Sequence, residues 1–204
     1  MKLFATILLI GFTLFSSRSM AQFTQYEKDL INGGTSETPF RVLKITDQQD
    51  STFLRQKCSD IEDTDNAGNL KLLIDRLKAT MASESGVGIA GPQVGIARNV
   101  FLFTRIDQPN YPVTVAINPK IVKYPKETIC FERDGCLSIP GISGNSIRYP
   151  WVEVEYTDEN GNLIKERLEG YSRTGNFTAI IFQHEFDHLQ GILFIDKFCP
   201  EDKE

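Results

Sequence analysis

Apolar residues recur along this chain with two different periods. Leu70, Leu73, Leu77 and Met81 fall three or four residues apart. That spacing puts them on one stripe of a cylinder and predicts an amphipathic helix over residues 66–83. Phe177 to Leu189 (FTAIIFQHEFDHL) predicts a second helix, with Gly191 as its stop. Trp151 to Tyr156 (WVEVEY) alternates instead, and Asn160-Gly161 follows before Leu163 to Leu168. That pattern predicts a hairpin closed by a type I′ turn. Arg98 to Thr104 and Val113 to Ile117 are short and β-prone, and read as strands. Residues 22–40 are polar, carry Gly33-Gly34 and Pro39, and read as a loosely structured lead-in. Strands and two helices in mixed order predict an α+β fold, with residues 41–204 as one domain.

The first residues follow another rule. Met1-Lys2 is positive, Leu3 to Phe15 is a short apolar run, and Ser19 and Ala21 are small. This is the three-part pattern of a secretory signal peptide over residues 1–21. It predicts export to the periplasm or beyond, with a cytoplasmic location as the alternative. The run falls short of the roughly 20 apolar residues of a membrane span, so no stable span is expected.

Composition narrows the field. Hydrophobic residues make up 41% and charged residues 24% of the 204 positions, which excludes a disordered chain. Lys and Arg number 22 against 27 Asp and Glu, a net charge of -5, and no basic stripe suggests a nucleic-acid partner. The four cysteines, Cys58, Cys130, Cys136 and Cys199, are too few for a disulfide framework in a domain this size.

Both histidines of the chain fall in His184-Glu185-Phe186-Asp187-His188, which fits H-E-x-x-H. On a helix, residues four apart differ by about 40° of rotation, so both imidazoles share a face and can bind one metal ion. Glu185 lies about 100° round from His184, at the edge of such a site, where a carboxylate can move a water proton. A third ligand is needed. Phe194 stands where one protease group has a third histidine, and Glu201 and Glu204 lie in the last few residues. The third ligand is therefore expected upstream. Cys136, in Asp134-Gly135-Cys136-Leu137-Ser138, is the strongest candidate, unless it is a buried structural cysteine or half of a disulfide.

Three segments in order resemble the peptide deformylase family. Gly86-Val87-Gly88-Ile89-Ala90-Gly91-Pro92-Gln93 is similar to its G-x-G-[LI]-A-A-x-Q, residues 134–138 to E-G-C-L-S, and Gln183 to His188 to Q-H-E-x-D-H. The resemblance covers roughly residues 41–197. It implies antiparallel and mixed sheets packed around the helix that carries HEFDH. It also implies one divalent metal ion on Cys136, His184 and His188, ferrous iron in the family, with zinc or another divalent ion able to take its place. The implied reaction is hydrolysis of the formyl group from formylated peptide N-termini: water attacks the formyl carbon and Glu185 shuttles the proton. The Gln93 side chain and the Leu137 backbone N–H are the implied oxyanion donors. The Gly88 backbone would pair with the substrate main chain, while Val87, Phe177, Ile180 and Ile181 form the methionine pocket. Asp134 stands where the family has Glu, and Arg148 is its implied partner. An exported metallopeptidase and a non-catalytic binder of blocked N-termini are the alternatives.

Overall fold

The computed structural model describes residues 22–62 and 67–200. Residues 1–21, on which the signal-peptide expectation rests, lie outside them, as do 201–204 with Glu201 and Glu204. Among the described residues, no helix is long and apolar enough to cross a membrane.

Among the described residues, three α-helices precede the sheet: α1 (Gln25–Asn32), α2 (Gln48–Leu54) and α3 (Ala67–Ser83). Seven strands follow, β1 (Gly88–Ala90), β2 (Val100–Thr104), β3 (Val113–Lys123), β4 (Ile129–Cys136), β5 (Ile139–Arg148), β6 (Trp151–Thr157) and β7 (Leu163–Glu169), then α4 (Thr178–Leu189). One antiparallel sheet runs in the order β1-β2-β3-β6-β7, and β4 and β5 form a separate two-stranded sheet.

The large sheet is covered on both faces where it is most apolar. In β2, Val100 and Leu102 join the core beneath α1 and α3, while Phe101 and Phe103 join the core beneath α4. A strand buried on both sides needs no polar face, which is why Val100-Phe101-Leu102-Phe103 reads as a continuous apolar run. Phe182 of α4 meets Phe101 and Phe103 edge-to-face, with ring centroids 4.9 and 5.3 Å apart, and so fixes the helix against the sheet.

Two expectations are corrected. Residues 22–40 are not a loose lead-in throughout. Thr24 caps α1 by accepting from the Glu27 backbone N–H (3.2 Å), and Glu27 accepts from the Thr24 N–H (2.8 Å), a complete capping box. Phe23 and Ile31 enter the core, and the Glu27 carboxylate forms a buried pair with Arg98 at 2.7 Å. The β6–β7 hairpin forms, but not around a type I′ turn. Such a turn needs two residues with positive φ, and here only Gly161 has it (φ +84°). The Asp158 carboxylate shapes the loop instead, accepting from the backbone N–H groups of Asn160 (2.9 Å) and Asn162 (2.8 Å).

Candidate active site

α4 brings His184, Glu185 and His188 to the end of the β4–β5 hairpin. Asn176 starts the helix by accepting from the Thr178 N–H (2.9 Å). Gly191 ends it at φ +72°, with its own N–H on the His188 carbonyl (3.1 Å). A Cβ at Gly191 would also collide with the Arg55 backbone, so the stop requires glycine on two counts.

Cys136, at the end of β4, meets the two histidines. One ligand atom from each of the three lies within 4.8 Å of the others, and Cys136 Sγ is 3.2 Å from His188 Nε2. A tetrahedral ion with ordinary sulfur and nitrogen bond lengths would separate two such ligands by about 3.5 Å. The His184 ring is oriented from behind: its Nδ1 is 3.1 Å from Asp134 Oδ1. That leaves Nε2 for the ion, the carboxylate–histidine arrangement of metal sites. One thiolate and two imidazoles suit ferrous iron or zinc rather than a hard ion such as calcium. The residues fit the group.

A buried ionic frame holds this arrangement. The Arg148 side chain is fully buried and donates to Asp134 Oδ2 (2.8 Å) and Asp187 Oδ2 (2.5 Å). Ser146 Oγ donates to Asp134 Oδ2 (2.6 Å), and Lys197 Nζ reaches Asp187 Oδ1 (2.6 Å). Burial works against the charge on Asp134, yet His184 and Arg148 outweigh it and hold the carboxyl well below its usual range. Burial likewise opposes charge on His184, but the Asp134 carboxylate raises that imidazole well above its usual range. His188 is pushed down, by burial first and by the neighbouring positive charges next. Burial pushes the Glu185 carboxyl up to about 7.

The expected reactive groups converge. Glu185 is buried, and its Oε2 has no hydrogen-bond partner among the described residues. Gly88 lets that carboxylate approach: a Cβ there would lie 2.8 Å from Glu185 Cδ. The Gln93 amide is fixed because its Oε1 accepts from the Ala90 N–H (2.8 Å), which turns its Nε2 toward Ser138 Oγ (3.3 Å) and Cys136 Sγ (3.5 Å). Leu137 is half-buried beside them, and Lys44 Nζ donates to its carbonyl (2.7 Å). A cleft of about 350 Å³ opens here, lined by Val87, Gly88, Phe177, Ile180 and Ile181 together with Gln93, Cys136, Leu137, His184 and Glu185; His188 does not line it.

Nothing in the sequence marks Asp187, Ser146, Lys44 or Lys197 for these contacts: Asp187 lies inside Gln183 to His188, and the others carry no local pattern. Cys130 and Cys199 are joined as a disulfide that ties β4 to the C-terminal segment, so Cys136 stays free, as a ligand must. Cys58 is free and buried, with its thiol pushed up to about 12 by burial.

The family model for polypeptide deformylase matches residues 42–204. The chain belongs to the polypeptide deformylase family. Peptide deformylase 2 of a Nostoc species is 47% identical over 150 residues, covering 71% of this chain and 79% of that protein. The peptide deformylase of Thermotoga maritima is 44% identical over 132 residues, covering 65% of this chain and 74% of the relative. The crystal structure of the Thermotoga maritima deformylase superposes with a TM-score of 0.67 at 35% identity, over 79% of this chain and 99% of that one. A class I type b peptide deformylase from Acinetobacter baumannii, with Met-Ala-Ser bound, gives 0.68 at 32% identity, over 79% and 99%.

The chain is accordingly a hydrolase with the deformylase fold, α+β with antiparallel sheets, and its activity is metal-dependent removal of the N-formyl group from nascent peptides. This overturns the expectation of export. Deformylation of nascent peptides requires a place beside their synthesis, and family membership leaves neither an exported metallopeptidase nor a non-catalytic binder in support.

Proposed function

We propose that residues 41–204 form one deformylase domain in which Cys136, His184 and His188, on the HEFDH helix and the strand facing it, hold one divalent ion beside Glu185. Ferrous iron is the ion that the resemblance implies, and the thiolate–imidazole donor set also suits zinc. When bound, the ion supplies Lewis acidity and lowers the pKa of water for attack on the formyl carbon.

The chain's own residues do the rest. Glu185 Oε2 takes a proton from the attacking water and delivers it to the departing amine nitrogen. Gln93 Nε2 and the Leu137 backbone N–H donate to the oxyanion as charge develops there. The edge strand β1 offers the Gly88 backbone to the substrate main chain in the manner of an added strand. Val87, Phe177, Ile180 and Ile181 enclose the methionine side chain and exclude water from the reacting bond.

The observation that carries this reading is the convergence of three donor atoms within 4.8 Å, beside a buried Glu185 oxygen that has no partner of its own among the described residues. Measuring metal per chain together with formate release from formyl-Met-Ala-Ser tests it. One ion per chain with turnover supports the reading; turnover undiminished after complete metal removal contradicts it.

A further inference from the structure

Beyond the methionine wall, the cleft carries a cation that the chemistry above does not use. Arg173 lies in the loop between β7 and α4, is exposed, and lines the cleft. Among the described residues no hydrogen bond or ion pair is found for its guanidinium. It lies over two rings of the cleft: its Cζ is 5.2 Å from the Phe177 ring centroid and 5.8 Å from that of Phe131. Those rings are 5.7 Å apart.

The loop is built rather than loose. Ser172 N–H donates to the Asn176 carbonyl (2.9 Å), and Asn176 Nδ2 donates to the Glu169 carbonyl (3.0 Å). Gly170 takes φ +106°, and a Cβ there would collide with Asn176, so the turn is fixed at both ends. The other charged groups lining the cleft belong to the proposed reacting centre: Asp134 and Glu185, both buried, and His184. Arg173 is the one Lys or Arg among the lining residues described.

The wall deepens from Phe177, half-buried, to Ile180 and Ile181, which are 2% and 4% exposed. Phe177, the shallowest of these, is also the ring against which Arg173 sits, so a peptide with its methionine on that wall and its chain running toward the open end would meet the guanidinium. We propose that Arg173 sets a specificity for formyl-methionyl peptides that carry a carboxylate in the two residues after methionine. Five N–H donors in a planar fork suit a carboxylate, and ring contacts keep the fork aimed at it before the peptide arrives. The inference rests on the deformylase reading for its substrate, but not for the placement of Arg173.

The test uses C-terminally amidated peptides, so that the only carboxylate is the chosen side chain. Wild type, Arg173→Gln and Arg173→Glu are compared on formyl-Met-Glu-Ser, formyl-Met-Ala-Glu and their Lys counterparts. At low salt, wild type should favour each acidic peptide over its Lys counterpart by about two- to fivefold in kcat/KM, the range of an exposed charge pair. The preference should lie in KM and shrink as salt rises. It should vanish in Arg173→Gln and reverse in Arg173→Glu. An unchanged ratio in Arg173→Gln would overturn the proposal while leaving deformylation intact. Calorimetric binding of the deformylated Met-Glu-Ser and Met-Lys-Ser amides to the same variants reads the charge preference without turnover. Absence of formate release from every peptide would therefore count against the deformylase reading alone, and equal binding of the two amides by wild type against Arg173.

Discussion

His184 Nδ1 lies 3.1 Å from Asp134 Oδ1, and this contact leaves the other ring nitrogen to meet Cys136 and His188. The same carboxylate receives the buried Arg148 through its other oxygen. One side chain therefore couples the orientation of a proposed metal ligand to the charge balance of the core. Asp134→Asn should weaken metal affinity by about 10- to 100-fold, as loss of such an outer partner does. Competition with a graded chelator, read as metal remaining per chain, checks it; wild-type retention would assign the orientation of His184 to something else.

Gln93 is held by the Ala90 N–H before any substrate arrives. In the proposed role its Nε2 acts on the developing charge rather than on ground-state binding. Gln93→Leu should lower kcat by about 10² or more with a lesser change in KM. A raised KM with unchanged kcat would make Gln93 a substrate binder instead.

Gly88 touches the site through what it lacks. A methyl group there would press on Glu185 Cδ and Cγ, at 2.8 and 2.9 Å. Gly88→Ala should therefore displace the carboxylate and reduce turnover, on the order of 10²-fold for a misplacement near 1 Å, while metal content stays at the wild-type level. Wild-type turnover in this variant would show that the Glu185 position has slack.

Glu27 and Arg98 make a pH-dependent contribution to stability. Burial raises the Glu27 carboxyl, but hydrogen bonds from Arg98 and Thr24 outweigh burial and leave it below its ordinary value of 4.5. The unfolded chain thus takes up this proton at a higher pH than the folded one. The stabilisation is complete above about pH 4.5 and is lost as pH falls through the folded value. Arg98→Met should cost about 3 to 5 kcal/mol near neutral pH, because it leaves a buried carboxylate without its counter-charge. Urea unfolding from pH 7 to pH 3 should show the gap between variant and wild type narrowing only on the acid side; a gap independent of pH would contradict the pairing.

The sequence makes the chemistry more legible than the architecture. His184 and His188 announce the site because a four-residue interval on a helix has one geometric meaning. Asp134 and Arg148 were paired by resemblance, and the structure brings them to 2.8 Å. The β4–β5 hairpin escaped because Ile129–Cys136 and Ile139–Arg148 bury only isolated positions, among them Phe131, Asp134, Ile139, Ser146 and Arg148. Without alternation of apolar and polar residues there is no period to read. The helix of residues 25–32 left a trace in Thr24-x-x-Glu27, a capping-box pattern, but its polar surface and nearby glycines masked it. The role of Asp187 depends on Arg148 and Lys197, which only the folded chain brings to it.

In the proposed site Cys136, His184 and His188 hold the ion while Glu185 moves the proton. Glu185→Gln separates the two, because the amide keeps the shape and cannot carry a proton at that atom. Metal per chain and formate release from formyl-Met-Ala-Ser are to be measured on one preparation of this variant. The variant should hold one ion per chain, as wild type does, with turnover reduced by about 10² to 10⁴. Release of formate at the wild-type rate would rule out Glu185 as the proton carrier.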